Sequence, residues 1–246
     1  MPYGSLALLL IALVGCRPGP PCCAVVELRQ YRLKPGQRDV LVDLFDRELV
    51  APQEAGGMRI PGQFRDLDRP DRFVWLRGYP DMASRGRALT AFYQGPTWKA
   101  HSAAARATMI DVDDVLLLRP ARPGSGFAAA GDLRSPAIVI ATIYYLAAPA
   151  TPAVVDDFER AAAAAGAVVL ACFVTEPSPN TYPALPVRAG EQVFVAFSEA
   201  APGVDLSAAL ARWTAAPTEI RRLGPSARSR LGRRIAGRGP RCSDRD

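Results

Sequence analysis

The sequence contains one histidine, His101, and five cysteines, none of which form a C-x-x-C pair. A metal site built from several histidines is therefore excluded, and no disulfide framework is indicated. The chain also has no G-x-S-x-G motif and no glycine loop of the kind that cradles phosphates. We therefore expect neither a metal nor a cofactor.

The N-terminal apolar run, residues 6–14, has only nine residues, too few to span a bilayer but enough for the core of a signal peptide. It ends in "LVGC", which resembles a bacterial lipobox and makes Cys16 a lipidation candidate. The preceding "MPYGS" has no Lys or Arg, so a mispredicted start is the alternative for residues 1–23. The protein is accordingly expected in the cytoplasm, or in the periplasm as a lipoprotein that touches the membrane only through a lipid on Cys16.

Net positive charge is confined to the C-terminal end. Residues 221–246 carry nine arginines and two aspartates, and subtracting their +7 from the chain's +6 leaves −1 for residues 1–220. A near-neutral body does not favour a nucleic-acid partner. The segment 232–246 is predicted to be a basic, disordered tail.

The body repeats one order of elements: strand, helix, two strands, helix, strand. The two copies are predicted at residues 24–120 and 137–231, joined by a Pro/Gly/Ser-rich linker at 121–136. Each copy fits a ferredoxin-like β-α-β-β-α-β unit, whose sheet has one face left open. The sequence thus predicts an α+β protein in which two such units pack sheet to sheet as a single-chain α/β barrel.

Two strands of the first unit carry unusual polar faces. In "VVELRQYRL", Val26 and Leu28 share one face while Glu27, Arg29 and Tyr31 share the other. In "RFVWLRGY", the face that bears Phe73 also bears Trp75, Arg77 and Tyr79. We expect these polar and aromatic faces to meet the second sheet, so that they line a cavity between the units.

Several segments are similar to the bacterial branch of the NIPSNAP family: "ELRQYRLKPGQRD", "GMRIPGQFRDLDRPDRFVWLRGYPDM", "AFYQGPTW", "DVLLLRP" and "TYPALPVRAGEQVFVAF". The resemblance covers about residues 24–231 and implies the dimeric α/β-barrel superfamily, with both units supplied by one chain. It transfers no catalytic motif. The superfamily includes cofactor-free oxygenases, haem enzymes and small-molecule binders, so the fold alone does not choose among functions.

The leading hypothesis is that a small, partly apolar molecule binds between the units. The candidate ligand-binding residues are Glu27, Arg29, Tyr31, Arg65, Trp75, Arg77, Tyr79 and Trp98. Glu27, if desolvated, would have a raised pKa and could act as a general base, and His101 is a second candidate base. The structural alternatives are a Glu27–Arg29 ion pair that only fills space, Trp75 as ordinary core, and His101 as a packed or surface residue.

Two other functions remain open. One is an enzyme, a cofactor-independent oxygenase or isomerase that uses Glu27 or His101 as base. The other is a protein-interaction module without pocket chemistry. A homo-oligomer is also left open, and the sequence does not decide whether the protein is an enzyme.

Overall fold

The computed structural model describes residues 22–127 and 138–231. Its nine strands are β1 (Val25–Leu33), β2 (Gln63–Asp66), β3 (Arg72–Tyr79), β4 (Met109–Asp111), β5 (Val115–Pro120), β6 (Val139–Leu146), β7 (Val169–Thr175), β8 (Gln192–Glu199) and β9 (Glu219–Pro225). Its α-helices are α1 (Arg38–Leu44), α2 (Val50–Ala55), α3 (Met82–Gln94), α4 (Pro96–Thr108) and α5 (Pro152–Ala164). The predicted lipidation site Cys16, most of the predicted linker and the basic tail lie outside the described residues.

Local sequence signals account for the helix starts. Asp81 caps α3, because its side chain accepts a hydrogen bond from the Ser84 backbone N–H at 2.6 Å. Pro96 and Pro152 each begin a helix, where a missing N–H has no cost. A π-helical turn, Phe45–Leu49, joins α1 to α2 and makes them one continuous helical segment.

Eight of the strands close into an antiparallel barrel. The first unit contributes strands in the order β2-β3-β1-β5, and the second contributes β7-β8-β6-β9, the order of a ferredoxin-like sheet in each case. The β5–β7 and β2–β9 pairs join the two sheets at both edges. The predicted α+β single-chain barrel of two ferredoxin-like units is confirmed.

The barrel interior is apolar over most of its length. All eight barrel strands contribute buried side chains to it, among them Val26, Leu28, Phe64, Val74, Leu76, Leu116, Ile143, Phe173, Val195, Phe197 and Leu223. An eight-stranded barrel is just wide enough for side chains to fill it. Phe127, from the segment predicted as linker, also enters this cluster and packs 5.2 Å from Phe197 between ring centroids.

One end of the interior is polar and charge-balanced. Asp114 lies between Arg72 and Arg188, at 3.2 and 3.1 Å. Gln30 donates to Asp114 and accepts from Arg221, which also pairs with Glu219. Each arginine of this network therefore has a carboxylate partner.

At the opposite end of β1, the sulfurs of adjacent Cys22 and Cys23 are bonded to each other, a pairing that the cysteine spacing did not indicate. Gly78 leaves room for this pair, because a Cβ at Gly78 would lie 2.2 Å from the Cys23 sulfur.

The second unit lacks the second helix of its fold. The sequence predicts a helix from Leu206 to Trp213, but the structure has turns there and only a short 3-10 helix, Ala211–Trp213. This prediction was wrong: Leu206 and Leu210 reach the core beside β6 and β8 from turns and not from a full helix. The outer face beside β6 and β9 is left as a cleft of about 430 Å³ that includes Ile140, Thr142 and Ile220.

The expected direction of the polar faces was also wrong. Val26 and Leu28 point into the barrel, whereas Tyr31, Phe73, Trp75 and Tyr79 belong to the layer between the first sheet and its helices. Both faces of a barrel strand are buried, so alternation shows which residues share a face but not which layer that face meets. The expected cavity lining between the sheets is therefore replaced by apolar side chains.

Candidate functional site

A buried carboxylate organises the layer between the first sheet and its helices. Glu27 on β1 is fully buried and accepts hydrogen bonds from Arg29 at 3.0 Å, Arg77 at 2.8 Å and Arg85 at 2.7 Å. Arg29 comes from the same strand, Arg77 lies opposite Glu27 on β3, and Arg85 reaches down from α3. We call Glu27, Arg29, Arg77 and Arg85 the arginine cluster.

Aromatic rings surround the arginine cluster. The Trp75 ring centroid lies 5.6 Å from the Arg29 guanidinium carbon and 5.0 Å from that of Arg77, within range for cation–π attraction. The Tyr31 hydroxyl accepts a 3.0 Å hydrogen bond from Arg29, and the Tyr93 ring lies 5.9 Å from Arg77. The polar centre is thus enclosed by ring faces.

The charge state of the cluster follows from these contacts. Burial alone would raise the pKa of Glu27, but the guanidiniums of Arg77, Arg29 and Arg85 together outweigh it and lower that pKa from 4.5 to about 2. Glu27 is therefore a carboxylate at neutral pH and a weak base. The expectation of a raised pKa was wrong, because it counted burial and did not anticipate three arginines.

The second unit covers the cluster with an irregular segment, residues 176–191, which we call the covering loop. Asn180 and Thr181 accept hydrogen bonds from Arg85 at 2.8 and 3.2 Å, and the Tyr182 ring stacks on Tyr93 with centroids 5.7 Å apart. The loop is pinned to β5 near its two ends, where Glu176 N–H donates to Leu117 O and Arg188 N–H donates to Val115 O. Long irregular loops of this kind are commonly functional.

A helical glycine permits the close approach of the covering loop. A Cβ at Gly86, in α3, would lie 3.1 Å from the Thr181 carbonyl oxygen and 3.3 Å from the Thr181 Cβ. Glycine inside a helix is about 0.5–1 kcal/mol less favourable than alanine. Gly86 therefore makes α3 slightly less stable and leaves room for the covering loop to lie against the cluster.

Several buried polar atoms near the cluster lack hydrogen-bond partners among the described residues. Arg29 Nη2, Trp75 Nε1 and both amide atoms of Gln63 are in this state, and so is the hydroxyl of Tyr79. Arg29, Trp75 and Gln63 are register neighbours across β1, β3 and β2, and all three are buried. Unsatisfied buried polar groups are costly, which makes this row a candidate ligand contact.

The structure separates the predicted site residues into two groups. Those at or directly against the arginine cluster are Glu27, Arg29, Tyr31, Trp75, Arg77 and Tyr79, with Trp98 one layer further out at 5.0 Å from the Tyr93 ring. Arg65 instead pairs with Asp39 at 2.7 Å beside α1. His101 lies 3.7 Å from Glu48 on the helical surface and is about one-third exposed.

Sequence reasoning missed Arg85, Tyr93 and the covering-loop contacts. It also missed Gln53, whose side-chain oxygen accepts a 3.1 Å hydrogen bond from Arg77. Arg85 had a signal, because it occupies a position on the buried stripe of α3 together with Ala88, Leu89 and Phe92. A charged residue on such a stripe needs a buried partner. Asn180 and Thr181 carry no periodic signal, since they lie in an irregular Pro-rich segment.

Within residues 22–127 and 138–231, no group of three or more His, Cys, Asp or Glu side chains is placed to hold a metal ion. In the same part of the chain, no helix combines the length and apolarity needed to cross a membrane.

The first unit is similar in sequence to a known protein family. The NIPSNAP family model matches residues 26–123. This matched segment carries the whole arginine cluster and is similar to the NIPSNAP family. No curated protein has a significantly similar sequence.

Several solved structures are similar to this chain at low sequence identity. An uncharacterised NIPSNAP domain protein from Burkholderia xenovorans is 20% identical over 39% of this chain and 93% of its own, with a TM-score of 0.36. A proposed monooxygenase from Fusobacterium nucleatum is 8% identical over 84% of this chain and 93% of its own, with a TM-score of 0.50. A proposed monooxygenase from Lactobacillus acidophilus is 11% identical over 82% of this chain and 93% of its own, with a TM-score of 0.48. The Fusobacterium match extends over both units and shows the barrel fold alone.

Proposed function

We propose that the protein binds a small, partly apolar molecule in the helix layer of the first unit, beneath the covering loop and against the arginine cluster. The observation that carries this proposal is the row of buried, unpartnered polar atoms on Arg29, Trp75 and Gln63 among the described residues. Polar groups of this kind fix the orientation of a ligand whose remaining surface meets aromatic rings.

The location differs from the sequence-based hypothesis. The barrel interior is occupied by aliphatic and aromatic side chains, whereas the helix layer combines rings with free donors. The central side chains are fully buried beneath the covering loop, so entry of a ligand requires the loop to move.

Binding without chemistry is favoured over the enzyme alternative. A general base must accept a proton near the working pH, and a Glu27 carboxylate with a pKa of about 2 does so poorly. His101 lies 3.7 Å from Glu48 on the helical surface and does not contact the arginine cluster. The alternative of a protein-interaction module stays a prediction.

Native mass spectrometry of the purified protein tests the proposal. The expected result is a retained small molecule that is released on denaturation and is lost in Trp75→Leu. Trp213→Leu is the matched control, since Trp213 lies in the second unit, where its indole N–H donates a hydrogen bond to Asp157. A protein that retains nothing, and whose stability responds to no member of a small-molecule library, contradicts the proposal.

A further inference from the structure

We infer that the molecule bound at the arginine cluster carries an anionic group, a carboxylate or a phosphate, and that this group offsets the excess positive charge of the cluster. This inference rests on the proposed function and adds the chemical class of the ligand. Its basis is a count of the buried charges.

Three guanidiniums share one carboxylate. Among the residues that the structure describes, Glu27 is the one acidic side chain within 4.0 Å of Arg29, Arg77 or Arg85. Three positive charges and one negative charge leave two positive charges, and all four side chains have zero exposed surface. Removing an unneutralised ion from water is strongly unfavourable.

The protein cannot remove this excess by titration. An arginine stays protonated at all ordinary pH values. Tyrosine could supply negative charge only as phenolate, but burial raises the pKa of Tyr31 and raises the pKa of Tyr79 well above its ordinary value. Both phenols are therefore neutral, and the missing negative charge must come from a bound group.

Free donors point to the same conclusion. Arg29 Nη2 and Trp75 Nε1 have no acceptor among the described residues, and both groups can only donate. Nη2 of Arg77 and Nη2 of Arg85 each lie 2.7 Å from a Glu27 oxygen but without a well-aligned N–H. A carboxylate or phosphate offers several acceptor oxygens and forms strong, charge-assisted hydrogen bonds with guanidiniums.

The polar end of the barrel provides an internal contrast. There Arg72 and Arg188 both contact Asp114, Arg188 also contacts Glu191, and Arg221 contacts Glu219. Acidic partners match the arginines in that network. The excess of positive charge and the complete burial thus distinguish the arginine cluster from a partly buried network that needs no ligand.

The test compares benzoate with benzamide, which have nearly the same shape and differ in charge, and includes inorganic phosphate. Binding is measured by calorimetry and by the shift in thermal midpoint of the wild-type protein, which needs no variant. We expect benzoate or phosphate to bind at least ten-fold more tightly than benzamide, with an affinity that falls as chloride is raised. Arg29→Gln should lose most of this preference, Arg29→Lys should keep part of it, and Arg72→Gln should leave it unchanged.

The outcomes distinguish a failure of the anion inference from a failure of the proposed binding site. If benzamide binds as tightly as benzoate and phosphate adds nothing, the ligand is neutral: the anion inference fails while the proposed binding site stands. If the preference for benzoate persists in Arg29→Gln and disappears in Arg72→Gln, the anion site lies at the barrel end and the inference is wrong. If no probe binds and the protein retains no molecule, both proposals fail.

Discussion

Arg29 and Trp75 lie opposite each other on neighbouring antiparallel strands, with the guanidinium carbon 5.6 Å from the indole ring centroid. The Arg77 guanidinium lies 5.0 Å from the same ring. One tryptophan therefore contacts two of the three cations of the arginine cluster. This arrangement places the charged face of the first sheet under its own helices and leaves the barrel interior to apolar side chains.

Glu27→Gln should destabilise the protein strongly. The substitution leaves three buried guanidiniums without a carboxylate, and breaking a buried ion pair in this way typically costs about 3–5 kcal/mol. The free energy of unfolding in urea measures the effect. Glu48→Gln is the matched control, because Glu48 is about two-fifths exposed and its loss should cost about 0.5 kcal/mol or less. Equal effects of the two substitutions would contradict the structure of the cluster.

The contribution of Glu27 to stability should depend on pH in one direction. The folded protein lowers the pKa of Glu27 from 4.5 to about 2, so the stabilisation is fully present above pH 4.5 and is lost as the pH falls toward 2. The free-energy difference between wild type and Glu27→Gln should therefore narrow over this interval. A difference that stays constant from pH 5 to pH 2.5, measured by urea unfolding, would show that the carboxylate is not paired in the folded state.

Gly86→Ala should loosen the covering loop without touching the arginine cluster. The added Cβ would lie 3.1 Å from the Thr181 carbonyl oxygen, so the loop must move away from α3. Hydrogen exchange of amides in residues 176–191, read by mass spectrometry, should become several-fold faster, although alanine favours the helix by about 1 kcal/mol. Ala91→Gly, at an exposed position of the same helix, controls for helix propensity because it makes the reverse change. Unchanged loop exchange in Gly86→Ala would count against close contact.

Phe197→Ala should lower the stability of the protein and leave ligand binding nearly unchanged. Phe197 is buried in the barrel interior and packs against Phe127 and Phe173, so its removal opens a cavity that costs about 3–5 kcal/mol. Binding of benzoate should change by less than about two-fold, because the arginine cluster lies on the other side of the sheet. A large loss of benzoate affinity with little loss of stability would place the ligand inside the barrel.

The fold could be predicted largely from the sequence, because strand and helix periodicities repeat in the same order in both halves. The pairing of Glu27 with Arg29 on one strand face was equally accessible. The layer that this face meets could not be predicted from the sequence. The strand is buried on both sides, and the alternation of side chains is the same in either orientation. Arg85 was detectable as a charge on the buried stripe of α3, whereas Asn180 and Thr181 reach the cluster through long-range folding of an irregular loop.

The most direct test of the central claim is a crystal structure of the protein soaked with 4-bromobenzoate, in which anomalous scattering locates the bromine. The carboxylate should lie within hydrogen-bond distance of Arg29, Arg77 or Arg85, with the bromine among Trp75, Tyr93 and the covering loop. A bromine peak among Val26, Ile143 and Phe197, inside the barrel, would contradict the account.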